Sequence, residues 1–179
     1  MDVMQQLLSA MQNAGLEWSA AVELKRGESL FIAGRADLPV YFLEQGTLRI
    51  ICQNGEDTNT IRFAYKDSLF AAMDELITSL PTLYSAEAIK QTVVRFIPKA
   101  DFLHFINSDT KHLELWNTIL GYVIIGQLER ETDLLTTSPR ERYERVLRRS
   151  PQLFQEVPHK YIASYLRMTP ETLSRLQKS

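Results

Sequence analysis

The stretch YIASYLRMTPETLSRLQ, Tyr161 to Gln177, decides how the whole chain is read. From His159 onward, apolar residues fall at Ile162, Leu166, Met168, Leu173 and Leu176, and Ala163 follows the first of them. The spacing predicts a helix over 158–166 that turns Ile162 and Leu166 inward. Arg167 and Met168 then make a tight turn, with Met168 plugging the space between two helices. Thr169 suits an N-cap, Pro170 the first helical position, and Glu171 the positive end of a helix dipole. The second helix buries Leu173 and Leu176, and Ala163 is small where the two helices cross. This is the spacing of a helix-turn-helix, whose second helix enters a DNA major groove and meets base edges with its N-terminal residues. The outward face carries Glu171, Thr172, Ser174, Arg175 and Lys178. Arginine can grip guanine O6 and N7, and a carboxylate can accept from cytosine N4. The candidate DNA-reading set is therefore Thr169, Pro170, Glu171, Ser174, Arg175 and Lys178. Glycine is usual where Arg167 stands, because a left-handed φ costs a side chain about 1–2 kcal/mol. The competing reading is an αα-hairpin that merely packs.

The segment before it, TTSPRERYERVLRRS, predicts another helix: Ser138 caps, Pro139 fits the first turn, and Glu141 completes a capping box. Tyr143, Val146 and Leu147 form its apolar stripe. Arg140, Arg142, Arg145, Arg148 and Arg149 cover the rest and are expected to meet phosphates, with Arg140 and His159 added to the DNA-contacting set. Charge is segregated accordingly. Residues 1–135 carry 11 Lys/Arg against 18 Asp/Glu, residues 136–179 carry 9 against 4, and the whole chain has net charge −2. A basic tail on an acidic body suits an anionic partner.

The rest of the 179 residues divides by period. Residues 3–16 read as an amphipathic helix with Val3, Leu7, Leu8 and Met11 on one face and Gly15 at its end. From Trp18 to about Phe96, short runs (SLFIA, VYFLEQ, TLRIICQ, TIRFAY, TVVRFI) are separated by Gly, Asn, Asp and Pro, as in a sandwich or barrel. QNGED, Gln53–Asp57, holds the strongest hairpin signal, with Asn54 and Gly55 expected at the two turn positions. A short helix over 71–79 interrupts the strands. KADFLHFINS is one helix and 110–135 a longer one. In the long helix Leu113, Leu120 and Gln127 recur every seven residues, with Trp116 and Ile124 between and Leu128 beyond, and we expect this seam to pair two copies of the chain. Gly121 and Gly126 permit close approach of a partner backbone.

The whole chain resembles the bacterial Crp/Fnr regulators. LKRGESLFIAG, Leu24–Gly34, is similar to that family's early strand pair, VYFLEQGTLRI, Val40–Ile50, to the next pair with its glycine, and TPETLSRL to its recognition helix. The Glu171, Ser174, Arg175 pattern resembles the subgroup of the fumarate–nitrate reduction regulator, which implies that these three residues read bases. The resemblance implies an α+β fold in three parts. These are an N-terminal cyclic-nucleotide-binding-like β-roll (double-stranded β-helix or jelly roll) over 1–109, a dimerisation helix over 110–136, and a helix-turn-helix domain over 137–179. It also implies a homodimer on a palindromic operator in double-stranded DNA, with RNA polymerase as a further partner. Two departures matter. The family's nucleotide binders hold the ribose with a Gly-Glu pair and the cyclic phosphate with Arg-Ser or Arg-Thr. Here Ala71-Ala72 and Thr82-Leu83 stand at those places, and no arginine lies between Arg62 and Arg95. A buried cyclic phosphate without its cation is poorly compensated, so tight cyclic AMP binding is not expected. The family's winged version also continues into a β-hairpin, and a full wing is not expected here.

Other chemistries find little support. Cys52 is the sole cysteine, so neither an internal disulfide nor a cysteine-held cluster is expected, and core packing is its better reading. His104 and His112 lie in no recognisable ligand pair, and no metal or other cofactor is expected. The acid pairs Asp74-Glu75 and Glu129/Asp133 have no nucleophile beside them, so we expect no enzyme. No apolar run is long enough to span a membrane and no basic leader precedes one, so the chain reads as cytoplasmic. An unknown small-molecule effector could occupy a β-roll pocket lined by Phe70, Met73, Leu83 and Tyr84. The alternative reading is a ligand-sensing or protein-interaction β-roll with a vestigial DNA-binding hairpin.

Overall fold

Alternating apolar positions in short strands need a second sheet to cover them, and the structure supplies one. In a computed structural model describing residues 2–178, a first helix, α1 (Val3–Asn13), precedes the strands β1 (Val22–Leu24), β2 (Ser29–Phe31), β3 (Val40–Gln45), β4 (Thr47–Asn54), β5 (Asp57–Tyr65) and β6 (Ser68–Phe70). Helix α2 (Met73–Thr78) then interrupts, and β7 (Ser85–Ala88) and β8 (Thr92–Ile97) complete two four-stranded sheets. Their orders are β1-β8-β3-β6 and β2-β7-β4-β5, antiparallel throughout. The remainder is helical: α3 (Lys99–Ser108), α4 (Thr110–Leu135), α5 (Pro139–Arg149), α6 (Pro151–Glu156), α7 (His159–Tyr165) and α8 (Pro170–Lys178). Among the described residues no helix is long and apolar enough to cross a membrane.

Three apolar clusters hold these parts. Leu43, Leu48, Ala86, Ala88 and Val94 fill the space between the sheets. Leu7 and Met11 of α1 meet Phe102, Phe105 and Ile106 of α3 and Ile119 of α4, together with Val40 of β3 and Ile97 of β8. The third cluster joins Val146, Leu153, Ile162, Ala163, Leu166 and Leu173 of the last four helices to Phe63 of β5 and Ile89. The C-terminal helices are thus seated on the outer face of the β-roll, sharing its apolar surface.

Local expectations meet some corrections. The β4–β5 hairpin pairs Asn54 with Asp57, so the turn consists of Gly55 and Glu56, one residue later than expected, and only Gly55 has positive φ (62°). The helix expected over 71–79 is trimmed to α2, because Ser79 adopts a left-handed φ of 58° and ends it. Gly46, between β3 and β4, has φ 97°, and a Cβ there would lie 2.6 Å from the Gln91 carbonyl oxygen and closer still to the Thr92 hydroxyl. Both conformation and space therefore require glycine.

Candidate nucleic-acid interface

The helix-turn-helix is assembled from the residues that predict it. Ile162, Ala163, Leu166 and Leu173 are buried, and Met168 packs against them from the turn. The amide of Met168 donates to Ala163 O (3.1 Å) and that of Arg167 to Ser164 O (3.1 Å). With Arg167 at φ 53°, this is a Schellman motif carrying arginine where glycine is usual. The Arg167 guanidinium reaches Asn59 Oδ1 of β5 at 2.7 Å, which offsets part of the strain. Thr169 caps α8, its hydroxyl accepting from the Thr172 amide at 3.2 Å.

On the outer face of α8, Glu171, Arg175 and Lys178 are exposed and Ser174 is half-buried. The Glu171 carboxyl is held below the usual glutamate range, first by its own backbone amide, then by the Thr169 hydroxyl, with Arg175 one turn on adding to the effect. A charged acid and a charged guanidinium therefore stand side by side on the solvent face of a capped helix. His159 opens α7 with Nε2 3.0 Å from Gln177 Oε1, tying the start of the first helix to the end of the second. Arg140 lies exposed at the start of α5 and pairs with Glu144 at 3.2 Å.

The other α5 arginines correct the expectation that this helix offers all five to phosphates. Arg142 is buried and donates to the carbonyls of Leu166 (2.9 Å) and Arg167 (3.4 Å). Arg145 and Arg149 grip the fully buried Asp133 of α4 at 3.1 and 2.6 Å. Arg130 of α4 donates to the Tyr165 carbonyl and lies over the Tyr165 ring, 3.8 Å from its centroid. Two guanidiniums thus satisfy the last carbonyls of α7, and a buried aspartate ties α4 to α5. Arg130 and Asn59 escape the sequence reading, and Asp133 enters it only as half of an acid pair, because their partners lie 35, 108 and 12 residues away.

On α4, Leu113 (39%), Ile124 (60%) and Leu128 (59%) are exposed apolar side chains, joined by Tyr122 and Ile125, while Leu120 is half-buried. Trp116, expected on the same seam, instead turns into the chain's own core, edge-on to Phe102 with ring centroids 5.2 Å apart. Gln127 faces the β-roll, where its Oε1 accepts from Arg62 Nη2 at 2.8 Å.

A cavity of about 360 Å³ opens between the β-roll, α2 and α4. Phe70, Met73 and Tyr84 line it. Leu83, expected with them, is 71% exposed and lies outside the lining, because its amide is drawn to Asp74 Oδ2 (2.8 Å) and the side chain turns to solvent. The buried Thr82 donates its hydroxyl to the same carboxylate. Cys52 is half-buried on β4, His104 is exposed, and His112 stacks on Phe105 with centroids 4.1 Å apart. Among the described residues no cluster of three or more His, Cys, Asp or Glu is placed to hold a metal ion.

Comparison with known proteins bears on the fold. Residues 21–109 match the family model described as cyclic nucleotide-binding domain. No curated protein matches the chain. FixK2 from Bradyrhizobium japonicum superimposes with TM-score 0.75 at 19% identity, over 91% of this chain and 84% of that one. The c-di-GMP-responsive global regulator CLP of Xanthomonas campestris does so with TM-score 0.70 at 12% identity, over 96% and 90%. A transcriptional regulator of the CRP family from Thermus thermophilus gives 0.65 at 20% identity, over 88% and 82%. Residues 21–109 of this chain are thus similar to a cyclic nucleotide-binding domain, and the chain as a whole shares the fold of these solved proteins.

Proposed function

We propose that the chain is a sequence-specific DNA-binding transcription regulator that acts as a homodimer without cyclic AMP. One observation carries this reading: Glu171 and Arg175 face solvent on α8, while Leu173 on the opposite face is fully buried. A hairpin that only packed would have no use for a charged, capped outer face. The DNA contacts are assigned to Thr169, Pro170, Glu171, Ser174, Arg175 and Lys178, with Arg140 and His159 toward phosphates. The exposed apolar stripe of Leu113, Ile124 and Leu128 supports pairing through α4, since a second copy would cover it. Two α8 helices would then enter successive major grooves about 34 Å apart. Independence of cyclic AMP rests on the Ala71-Ala72 and Thr82-Leu83 positions, which bring neither the acid nor the cation that a buried cyclic phosphate needs. An effector in the β-roll cavity would act by favouring one placement of the paired α8 helices. RNA polymerase is the further partner, and the cytoplasm the place, that such a regulator implies.

Selection from a random duplex pool tests the proposal. Purified protein is expected to enrich a palindrome with half-sites about one helical turn apart. Recovery of unselected sequence would leave the helix-turn-helix as a packing element on a sensor. Calorimetry with cyclic AMP is expected to show no binding at micromolar concentration.

A further inference from the structure

Arg62 differs from the other arginines of the β-roll whose partners the structure defines. Arg49 pairs with Glu87 at 3.0 Å and Arg95 with Glu44 at 2.5 Å. Arg62, on β5, has no carboxylate partner among the described residues. Its guanidinium meets only a neutral amide, Gln127 Oε1 on α4, at 2.8 Å. It is half-buried, and burial lowers its pKa. It also lines the 360 Å³ cavity, whose other walls include Phe31, Ile50, Phe70, Trp116 and Ile119. The acid on that wall, Asp74, is already held by the Thr82 hydroxyl at 2.9 and 3.1 Å and by the Leu83 amide at 2.8 Å. A desolvated cation without a counter-charge is costly, and a carboxylate is the group that a guanidinium binds best, through two parallel hydrogen bonds. The rings of Phe31 and Phe70 lie nearly parallel, 5.8 Å apart at 7°, and offer flat apolar surface beside it. The volume suits a small organic molecule.

We propose that the β-roll cavity binds a small aromatic carboxylate, its ring among Phe31, Phe70 and Trp116 and its carboxylate on Arg62. This rests on the reading of the β-roll as the sensing part of the regulator and gives that sensor a ligand class. The carboxylate competes with Gln127 for the same guanidinium, so occupancy alters the contact between β5 and α4.

Calorimetry on the full chain with 1-naphthaleneacetate and its neutral counterpart 1-naphthaleneacetamide tests the assignment. The wild-type protein is expected to bind the acid about tenfold or more tighter than the amide, the worth of a charged hydrogen-bonded contact. In Arg62→Gln the two should bind alike, while Gln127→Leu, which leaves the cation in place, should keep or widen the preference. Equal binding of acid and amide by the wild type, an unchanged ratio in Arg62→Gln, or no binding of either by protein that unfolds cooperatively in urea would each overturn the proposal. Neither titration contains DNA, so a failed DNA selection leaves the ligand result standing, and the reverse also holds.

Discussion

Arg175 lies exposed one helical turn beyond Glu171, and the proposed function assigns it to a base edge. Arg175→Ala is expected to cost about 1–3 kcal/mol on the preferred duplex and to relax preference at one base pair, read by titration against single-substitution duplexes. Equal loss on every sequence would assign it to phosphate instead. Gly46 makes a stability prediction. Gly46→Ala adds left-handed strain and a clash with Gln91 and Thr92, and should lower unfolding free energy by about 2–4 kcal/mol in urea. At this scale the sequence is most legible where partners are local. Thr169, Pro170, Met168 and Ala163 can be placed because each acts on residues within one turn. Arg142, Arg145 and Arg149 read as phosphate contacts in the sequence because Leu166 and Asp133, their partners, reach them only through the fold.

Among the elements, α3 and α4 are legible to the residue: a helical period runs through both, Pro98 precedes the first, and Asp109 caps the second by accepting from the Lys111 amide at 2.7 Å. Strands β1, β6 and β7, of three or four residues, are not. Too few side chains alternate in such segments, and only pairing with β8, β3, β4 and β2 makes them strands. The hairpin turn shifts by one residue because Asn54 stays in the ladder opposite Asp57. For α4, apolar period alone does not separate core from seam: Trp116 and Ile119 serve the chain's own core, while Ile124 and Leu128 do not. The double variant Ile124→Glu with Leu128→Glu should therefore stay folded and sediment as a monomer where the wild type sediments as a dimer. An unchanged mass would remove α4 as the pairing element.

In the whole molecule, the helix-turn-helix rests on the β-roll through β5, which also walls the cavity. Ala64 points between the sheets, Phe63 packs under the terminal helices, and Arg62 reaches α4. Polar ties accompany this seat: the Thr60 amide donates to Ser164 Oγ at 3.2 Å, and Lys90 pairs with Glu156 at 3.2 Å. Their weights differ. The Lys90–Glu156 pair is partly exposed and should contribute under about 1 kcal/mol, whereas Phe63→Ala should cost about 3–5 kcal/mol in thermal or urea unfolding. A smaller loss at Phe63 than at Glu156→Gln would mean that charge, not apolar contact, seats the terminal domain. The seat is invisible to sequence reading, which divides the chain between Thr136 and Pro139 and has no means to bring residue 63 against residue 165, whose rings lie 5.6 Å apart. The reading of α8 as the DNA-reading helix is tested most directly by fluorescence anisotropy with the selected palindrome and a scrambled duplex of equal composition, from about 50 to 300 mM salt. A preference on the order of a thousandfold or more for the palindrome, with log affinity falling linearly against log salt, is predicted. Equal affinity for the two duplexes at every salt concentration would contradict it.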